Sequence, residues 1–474
     1  MPRPNLTVAP PRHHTIGAAS TASPQSRLRS FENSALNGPR PGSLYEAKPA
    51  TPGSVELPKQ MTTTKVLFIS TNFPPVIGGA AIVYESICRC ASGAVVAMAA
   101  SNEYATGKPL AGTAEYDRNA GYPIHRLKVL HEHEQKRGGF FATLVTKVYD
   151  LLLMATMLFR ILRTARKERT KVICLGDLVY GGWLVFPLKY LFGYKVIFYV
   201  HGEEITTHSG GRFDELRATF LANADAIVSV STFTRDAMIR LMGIDPAKIT
   251  VIHNGVNLDR FQVRSPAPEL AAQYGVKGRH VILSVGRLVE RKGMDHLIEA
   301  MPRILQECPD THLLIAGDGA LRVKLGELIG KYALERHVTL LGKVSDAELD
   351  NLYSLADIFA LPNRDMPDGD TEGFGLVFLE ANASGKPVVA GKAGGAKDAV
   401  IDGVNGLSVD GTDIAAIAEA LVRLLKDSAL REAFTKGGIQ IAQRSDWRSR
   451  TAEFLILCDN IVAPGSAQKS TINP

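Results

Sequence analysis

The stretch GDTEGFGLVFLEANASGKPVVAG (369–391) holds two glutamates, Glu372 and Glu380, with seven residues between them. Gly373 and Gly375 fall inside that interval, and the apolar helical run LVFLEA closes it. If a helix begins near Phe374, the first-turn amides of Phe374, Gly375 and Leu376 have no intrahelical acceptor and can bind phosphate oxygens. Glu380, one turn beyond Leu376 on the same face, is then placed to accept hydrogen bonds from two adjacent hydroxyls, as on a ribose. Glu372 precedes the helix, where a carboxylate can hold a hexose hydroxyl. The alternative, two surface glutamates on a capped helix, leaves Glu380 buried inside an apolar run with no partner. A second stretch, GRLVERKG (286–293), follows the strand-like run HVILSVG (280–286) and puts Arg287 and Lys292 in a strand-to-helix loop. A planar guanidinium fork and a compact ammonium suit a diphosphate, although a solvated basic loop has the same composition. A third, NFPPVIGGAA (72–81), opens a helix after KVLFIST (65–71). Gly78 and Gly79 have no Cβ, so backbone amides can approach an anion there; a plain strand-to-helix turn asks for glycine just as often. The spacing is not GxGxxG, which counts against a nicotinamide nucleotide.

These loops need a scaffold, and the chain supplies one. Short Val/Ile/Leu runs alternate with longer helical patterns: KVLFIST, AVVAMAA (94–100), KVICLG (171–176), KVIFYVHG (195–202), DAIVSVS (225–231) and KITVIHNG (248–255). Near-continuous apolar strands separated by helices predict a parallel sheet covered on both faces. Residues 259–279 turn polar and proline-rich, as a linker does, and a second series follows: HVILSVG, THLLIAG (311–317), HVTLLG (337–342), DIFALP (357–362) and KPVVAG (386–391). The expected architecture is α/β, with two doubly wound Rossmann-like domains at 61–258 and 280–446 facing a central cleft. A helix over 447–463 is expected to cross back to the first domain.

The 474 residues are too many for one small core. Net charge is 54 − 48 = +6. Residues 1–60 carry seven basic and three acidic side chains, +4 of that total, so the folded part lacks the charge excess of a nucleic-acid binder. The same segment holds ten of the 25 prolines, and it reads, like 464–474, as a disordered tail. Met61 stands directly before the first strand-like run as an alternative start. Five cysteines, Cys88, Cys90, Cys174, Cys308 and Cys458, form no zinc-knuckle spacing and read as reduced thiols of a cytoplasmic protein. The segment 138–171 is unusually apolar but is interrupted by Lys147, Asp150 and Arg160, and its longest uninterrupted apolar stretch is the nine residues Leu151 to Phe159. It cannot span a bilayer. It either covers the first sheet or lies on an anionic membrane surface with its basic end in the headgroups. Asp368 and Asp370 form an Asp-Gly-Asp, and His125, His131 and His133 cluster with Glu132 and Glu134. Both sets read as loops rather than metal sites.

The motifs taken in order, the GG loop, HGEE (201–204), STFTRD (231–236), HNGV (253–256), GRLVERKG, GDG (317–319), EGFGLVFLEA and GKPVVAGKAGG (385–395), resemble the family-4 retaining glycosyltransferases of GT-B fold. The resemblance runs from about Lys65 to about Val462. It implies a nucleotide diphosphate sugar, GDP- or UDP-linked, as donor, a glycan or lipid-linked acceptor, and no metal or cofactor. At matching positions it implies that Gly78 and Gly79 contact the donor near its β-phosphate and that Arg287 and Lys292 hold the diphosphate leaving group. Phe374, Gly375 and Leu376 would present their amides, Glu380 would bind ribose, and Glu372 the transferred sugar. His201 matches a histidine lining the sugar pocket, and LGKVSD (341–346), with Val344 against the ring, matches the base-recognising segment. The sequence departs from the family at AGGAKDAV (393–400), where Lys397 and Asp398 replace a short polar residue followed by Glu. Other GT-B enzymes, an epimerase or a phosphorylase, and a non-catalytic sugar-nucleotide binder share these features.

Overall fold

The computed structural model describes residues 64–463 apart from 104–105, 130–139, 208–211 and 267, so both expected tails lie outside the described residues. The first lobe is built on seven parallel strands: β1 (Val66–Ser70), β2 (Val95–Ala100), β3 (Ile124–Leu127), β4 (Val172–Leu175), β5 (Lys195–Val200), β6 (Ala226–Ser229) and β7 (Ile249–Val251), in the order β3-β2-β1-β4-β5-β6-β7. The second has six: β8 (His280–Val285), β9 (Thr311–Ala316), β10 (Val338–Gly342), β11 (Ile358–Leu361), β12 (Val388–Gly391) and β13 (Gly406–Val409), in the order β10-β9-β8-β11-β12-β13. The central strands are apolar throughout because helices cover both faces; every residue of β1 and β11 is buried. Register carries this across the sheet, with Val66 opposite Val95 on one side and Val172 on the other.

Each apolar run named from sequence is a strand, and two further strands, β3 (IHRL) and β13 (GLSV), lie at sheet edges. Four partly polar residues on an edge carry no apolar signature. His125 therefore belongs to β3, its Nε2 3.4 Å from Glu168 Oε1, while His131, Glu132, His133 and Glu134 lie outside the described residues. The expected linker is more ordered than its composition suggests: it contains the helix Pro268–Gln273, and Phe261 and Val276 are buried.

The helix Trp447–Val462 packs on the helix Gly79–Cys90 of the first lobe. Its Phe454 ring lies 6.1 Å from both Phe68 and Tyr199. The helix Phe140–Lys167 buries Leu153, Met157, Ile161 and Ala165 against the first sheet. Its opposite face is also apolar, with Val145, Val148, Leu152 and Phe159 exposed by 68, 49, 62 and 64%. No helix among the described residues is long and apolar enough to cross a membrane.

Strand order reverses at β1/β4 in the first lobe and at β8/β11 in the second. In open parallel sheets, ligands bind beyond the carboxyl ends of the strands at such reversals. The loops that leave β1, β8 and β11 carry the GG, GRLVERKG and EGFG motifs respectively.

Candidate functional site

The loop after β1 is tied down from the neighbouring strand. Asp177, just past β4, accepts hydrogen bonds from the Thr71 amide and hydroxyl. Gly78 caps the helix Gly79–Cys90 in an extended conformation, φ 171°, and a Cβ at Gly79 would come 3.9 Å from Leu376 Cδ1 in the second lobe. The GG loop therefore faces the start of the EGFG helix across the cleft.

That helix runs Leu376–Ala383, starting two residues later than sequence suggests. The cause lies in the glycines. Gly375 adopts φ 90°, and Gly373 packs so closely under the first lobe that a Cβ would sit 2.1 Å from the His201 carbonyl oxygen. Right-handed helical geometry cannot run through Gly375, and no side chain fits at Gly373. Phe374 is not a helical amide donor either; its buried ring lies 5.8 Å from that of His253 in the first lobe. The Phe378 amide bonds the Gly375 carbonyl, which leaves the amides of Leu376 and Val377 at the helix start without intrahelical acceptors.

Glu372 and Lys292 do not stand on opposite sides of an anion site. They form a buried ion pair, Lys292 Nζ to Glu372 Oε2 at 2.5 Å, and Arg291 Nη1 lies 3.6 Å from the same oxygen. Burial pushes the Glu372 carboxyl up, but the charges of Lys292 and Arg291, with the Lys292 hydrogen bond, outweigh it and hold the group below the usual carboxylate range. Arg291, which sequence reading passed over, also brings Nε within 3.1 Å of Asp370 Oδ1. Asp370 is thus engaged by a guanidinium, and its amide donates to Asp368 Oδ1 at 3.0 Å. Arg287 differs from its neighbours: it is exposed and its side chain makes no ion pair or hydrogen bond among the described residues, while its charge still acts on Glu372 and Asp370.

Glu380 is buried, as the apolar run requires, and has a partner that sequence reading did not supply. Tyr353 Oη donates to Glu380 Oε2 at 2.9 Å. Burial nevertheless pushes this carboxyl up to about 7. Glu380, Leu376, Gly78 and Val344 line one cavity of about 1480 Å³ that extends along the helix Gly79–Cys90 and the interlobe connection. Arg287, Lys292 and Glu372 are not among its lining, so the cavity and the ion-paired cluster adjoin rather than coincide. The segment LGKVSD (341–346) runs into a capping box: Ser345 and Glu348 satisfy each other at the start of the helix Asp346–Leu355.

His201 directly follows β5. Its Nε2 is buried without a hydrogen-bond partner among the described residues, and burial pushes the imidazole down to about 4, so the ring is neutral near pH 7. Tyr84 packs edge-on against the ring at 5.1 Å, and the His201 amide donates to Glu204 Oε1 at 2.7 Å. Lys397 and Asp398, where the sequence departs from the family, lie in the helix Ala396–Ala399, and Asp398 reaches across the cleft. It accepts from the Thr232 amide at 2.5 Å and hydroxyl at 2.7 Å, with His253 Nε2 3.5 Å away. Here the acidic residue joins the two lobes.

Two doubly wound lobes whose switch-point loops meet over a cationic, glycine-lined cleft define a GT-B protein. The solved structure of Anabaena HepE in complex with UDP and glucose shares this fold, with a TM-score of 0.65 at 20% identity over 83% of this chain and 99% of that one. So does sucrose-phosphate synthase of Thermosynechococcus elongatus, with a TM-score of 0.65 at 23% identity over 83% and 98%. The family model "Glycosyl transferases group 1" matches residues 267–441, and "Glycosyltransferase Family 4" matches 125–260. The chain belongs to the family-4, group 1 glycosyltransferases. Among relatives, the GDP-mannose-dependent alpha-(1-6)-phosphatidylinositol monomannoside mannosyltransferase of Mycolicibacterium smegmatis is 38% identical over 236 residues, 48% of this chain and 61% of that one. A monoacylated-lipid counterpart in Corynebacterium glutamicum, also GDP-mannose-dependent, is 34% identical over 249 residues, 52% of this chain and 64% of that one. The chain thus spans less than two thirds of the length of these relatives.

Proposed function

We propose that this protein is a retaining, metal-independent hexosyltransferase that moves mannose from GDP-mannose to a lipid-linked acceptor of the phosphoinositide type. The observation that carries the reading is the Lys292–Glu372 pair in the field of Arg287, a few residues before the free amides of Leu376 and Val377, on a segment whose Gly373 packs against the His201 carbonyl. Charge that builds on a departing diphosphate finds two cations and two dipoles already in place, which stabilises the transition state without metal. Glu372 is ionised and half-satisfied by Lys292, so its remaining capacity suits a sugar hydroxyl. Neutral His201 can hydrogen-bond the sugar without repelling a developing oxocarbenium ion. Glu380 takes the ribose diol, Val344 the base, and Gly78 and Gly79 the donor's phosphates from the first lobe. No carboxylate nucleophile is invoked; the acceptor enters on the face the diphosphate leaves. The donor and acceptor follow the names of the mannosyltransferase relatives.

The acceptor's chemistry also bears on the helix Phe140–Lys167. Its exposed apolar stripe ends at the exposed cations Arg163, Arg166 and Lys167, a pattern that fits the headgroup layer of an anionic bilayer on the cytoplasmic side. The test of the whole reading is transfer from GDP-mannose, UDP-glucose and other sugar nucleotides to a phosphatidylinositol acceptor in vesicles, with EDTA present and the product anomer read by NMR. Donor breakdown without an acceptor, an inverted linkage, or activity restored only by Mg²⁺ or Mn²⁺ would overturn it.

A further inference from the structure

Glu380 has no cation within hydrogen-bond distance among the described residues, and what faces it comes from two elements. The helix Asp346–Leu355 contributes Tyr353, Asp346 and Asp350; the interlobe connection contributes Arg260. Tyr353 donates to Oε2, and no hydrogen bond reaches Oε1 among the described residues. Tyr353 is itself held from behind. Phe261 stands edge-on to its ring at 5.7 Å and 90°. Arg260 lies 4.7 Å over the Phe261 ring, and its Nε donates to Asp350 Oδ1 at 2.8 Å while Nη2 donates to the Asp346 carbonyl at 3.0 Å. The segment joining the lobes is thereby fastened to the helix that orients the carboxylate.

We propose that Tyr353 is the positioning residue for Glu380, holding it ionised with Oε1 open to the ligand, and that Arg260 and Phe261 clamp Tyr353 from the interlobe connection. Glu380 as the ribose ligand rests on the function proposed above; the Tyr353–Glu380 relation does not. A hydroxyl donating to a carboxylate stabilises the charged form only. Burial has already moved this group close to neutral pH, so the single hydrogen bond decides how much of it is charged there. Arg260 adds a favourable field, whereas Asp346 and Asp350 oppose ionisation.

The experiment uses the full chain and Tyr353→Phe, which keeps the ring and removes only the donor. The Glu380 carboxyl is followed through pH 5–9 by NMR of protein labelled with ¹³Cδ-glutamate and assigned with Glu380→Gln. The expected midpoint in Tyr353→Phe lies about one pH unit higher, about a tenfold change in the ionisation constant, as loss of a hydrogen bond to a charged group implies. Arg260→Gln should move it in the same direction by less. An unmoved midpoint with a lower melting temperature would reduce Tyr353 to packing and overturn the proposal. The second readout is the Kd for GDP and UDP. Affinity in Tyr353→Phe should fall about fivefold at pH 7, as the ionised fraction drops from about a half to about a tenth, and recover by pH 9. A shifted midpoint with unchanged nucleotide affinity would instead sink the ribose role of Glu380 and leave its positioning by Tyr353 standing.

Discussion

Replacing Lys292 by alanine removes one leg of a pair that serves both the fold and the proposed chemistry, and the two effects can be pulled apart. The ammonium lies 2.5 Å from a carboxylate that is 7% exposed. Breaking a buried pair on one side typically costs about 3–5 kcal/mol because the remaining charge is left uncompensated. Arg291 stays 3.6 Å from the same oxygen, so the lower end, about 3 kcal/mol, is the working figure. For lobes of this size a kcal/mol moves Tm by about 2–4 °C, so Lys292→Ala should melt about 6–12 °C lower. Loss of one preorganised donor should also lower kcat by about 10²–10³. The double variant Lys292→Met, Glu372→Leu replaces both charges with apolar groups of similar size. Its Tm should return to wild type or above, since such replacements are neutral or stabilising by about 1–4 kcal/mol. Its kcat should stay at least about a hundredfold down. Calorimetry gives the first quantity and coupled release of the nucleoside diphosphate the second. An unchanged Tm in Lys292→Ala, or near-wild-type turnover in the double variant, would refute this account.

Arg287→Ala should cut kcat at least about tenfold while moving stability by no more than about 0.5 kcal/mol, because its side chain is exposed and unpaired; a matching fall in Tm would argue against the assignment. The two carboxyls pushed up to about 7, Glu380 and Glu204, bind protons in the folded chain between about pH 4.3 and 7, where the unfolded chain does not. Their contribution to ligand-free stability falls as pH rises through that window, while buried His201 and His312, both held down to about 4, contribute in the opposite sense. Glu380→Gln should therefore make the slope of stability against pH more positive than in wild type in a series of melts. Glu372 acts in the opposite sense: its contribution is complete above about pH 4.3 and disappears as acid protonates it below that. Asp398→Ala, which removes the acceptor for Thr232, should raise the donor KM and lower kcat together by about tenfold, as a closure defect does; a change in Tm alone would make the contact merely structural. Vesicle sedimentation tests the helix Phe140–Lys167: Arg163→Gln, Arg166→Gln and Lys167→Gln together should release the protein from anionic vesicles, and equal binding to neutral ones would contradict the surface reading.

The central strands were legible because each is buried on both faces, so burial is written into consecutive residues. Edge strands β3 and β13 were not, since one side of each faces solvent and their four residues mix polar with apolar. In the site, types and order pointed to Arg287, Lys292, Glu372 and Glu380, because charges at strand-to-helix loops and inside apolar runs stand out from their surroundings. The partners of those charges come from distant segments. Lys292 meets Glu372 across 80 positions and Tyr353 meets Glu380 across 27, and neither pairing leaves a local pattern. Arg291 stayed hidden for a different reason: beside Lys292 it reads as a second solvated cation, and only the fold turns it inward. The late start of the helix at Leu376 was written in Gly373 and Gly375, but as a demand for close approach that has no meaning until the other lobe is present.

The close approach at Gly373 recurs nearby. A Cβ at Gly369 would lie 2.0 Å from the Thr206 carbonyl, and one at Gly395 would lie 2.8 Å from Ser231 Oγ. At these points the lobes meet where no side chain fits, flanked by the Asp398–Thr232 and Phe374–His253 side-chain contacts. Any added methyl acts as a doorstop and holds the jaws apart, and no substitution can tighten them by degrees. Selection among sugars has to be written elsewhere, in the side chains around the 1480 Å³ cavity, while Gly369, Gly373 and Gly395 stay bare whatever the chain has come to bind.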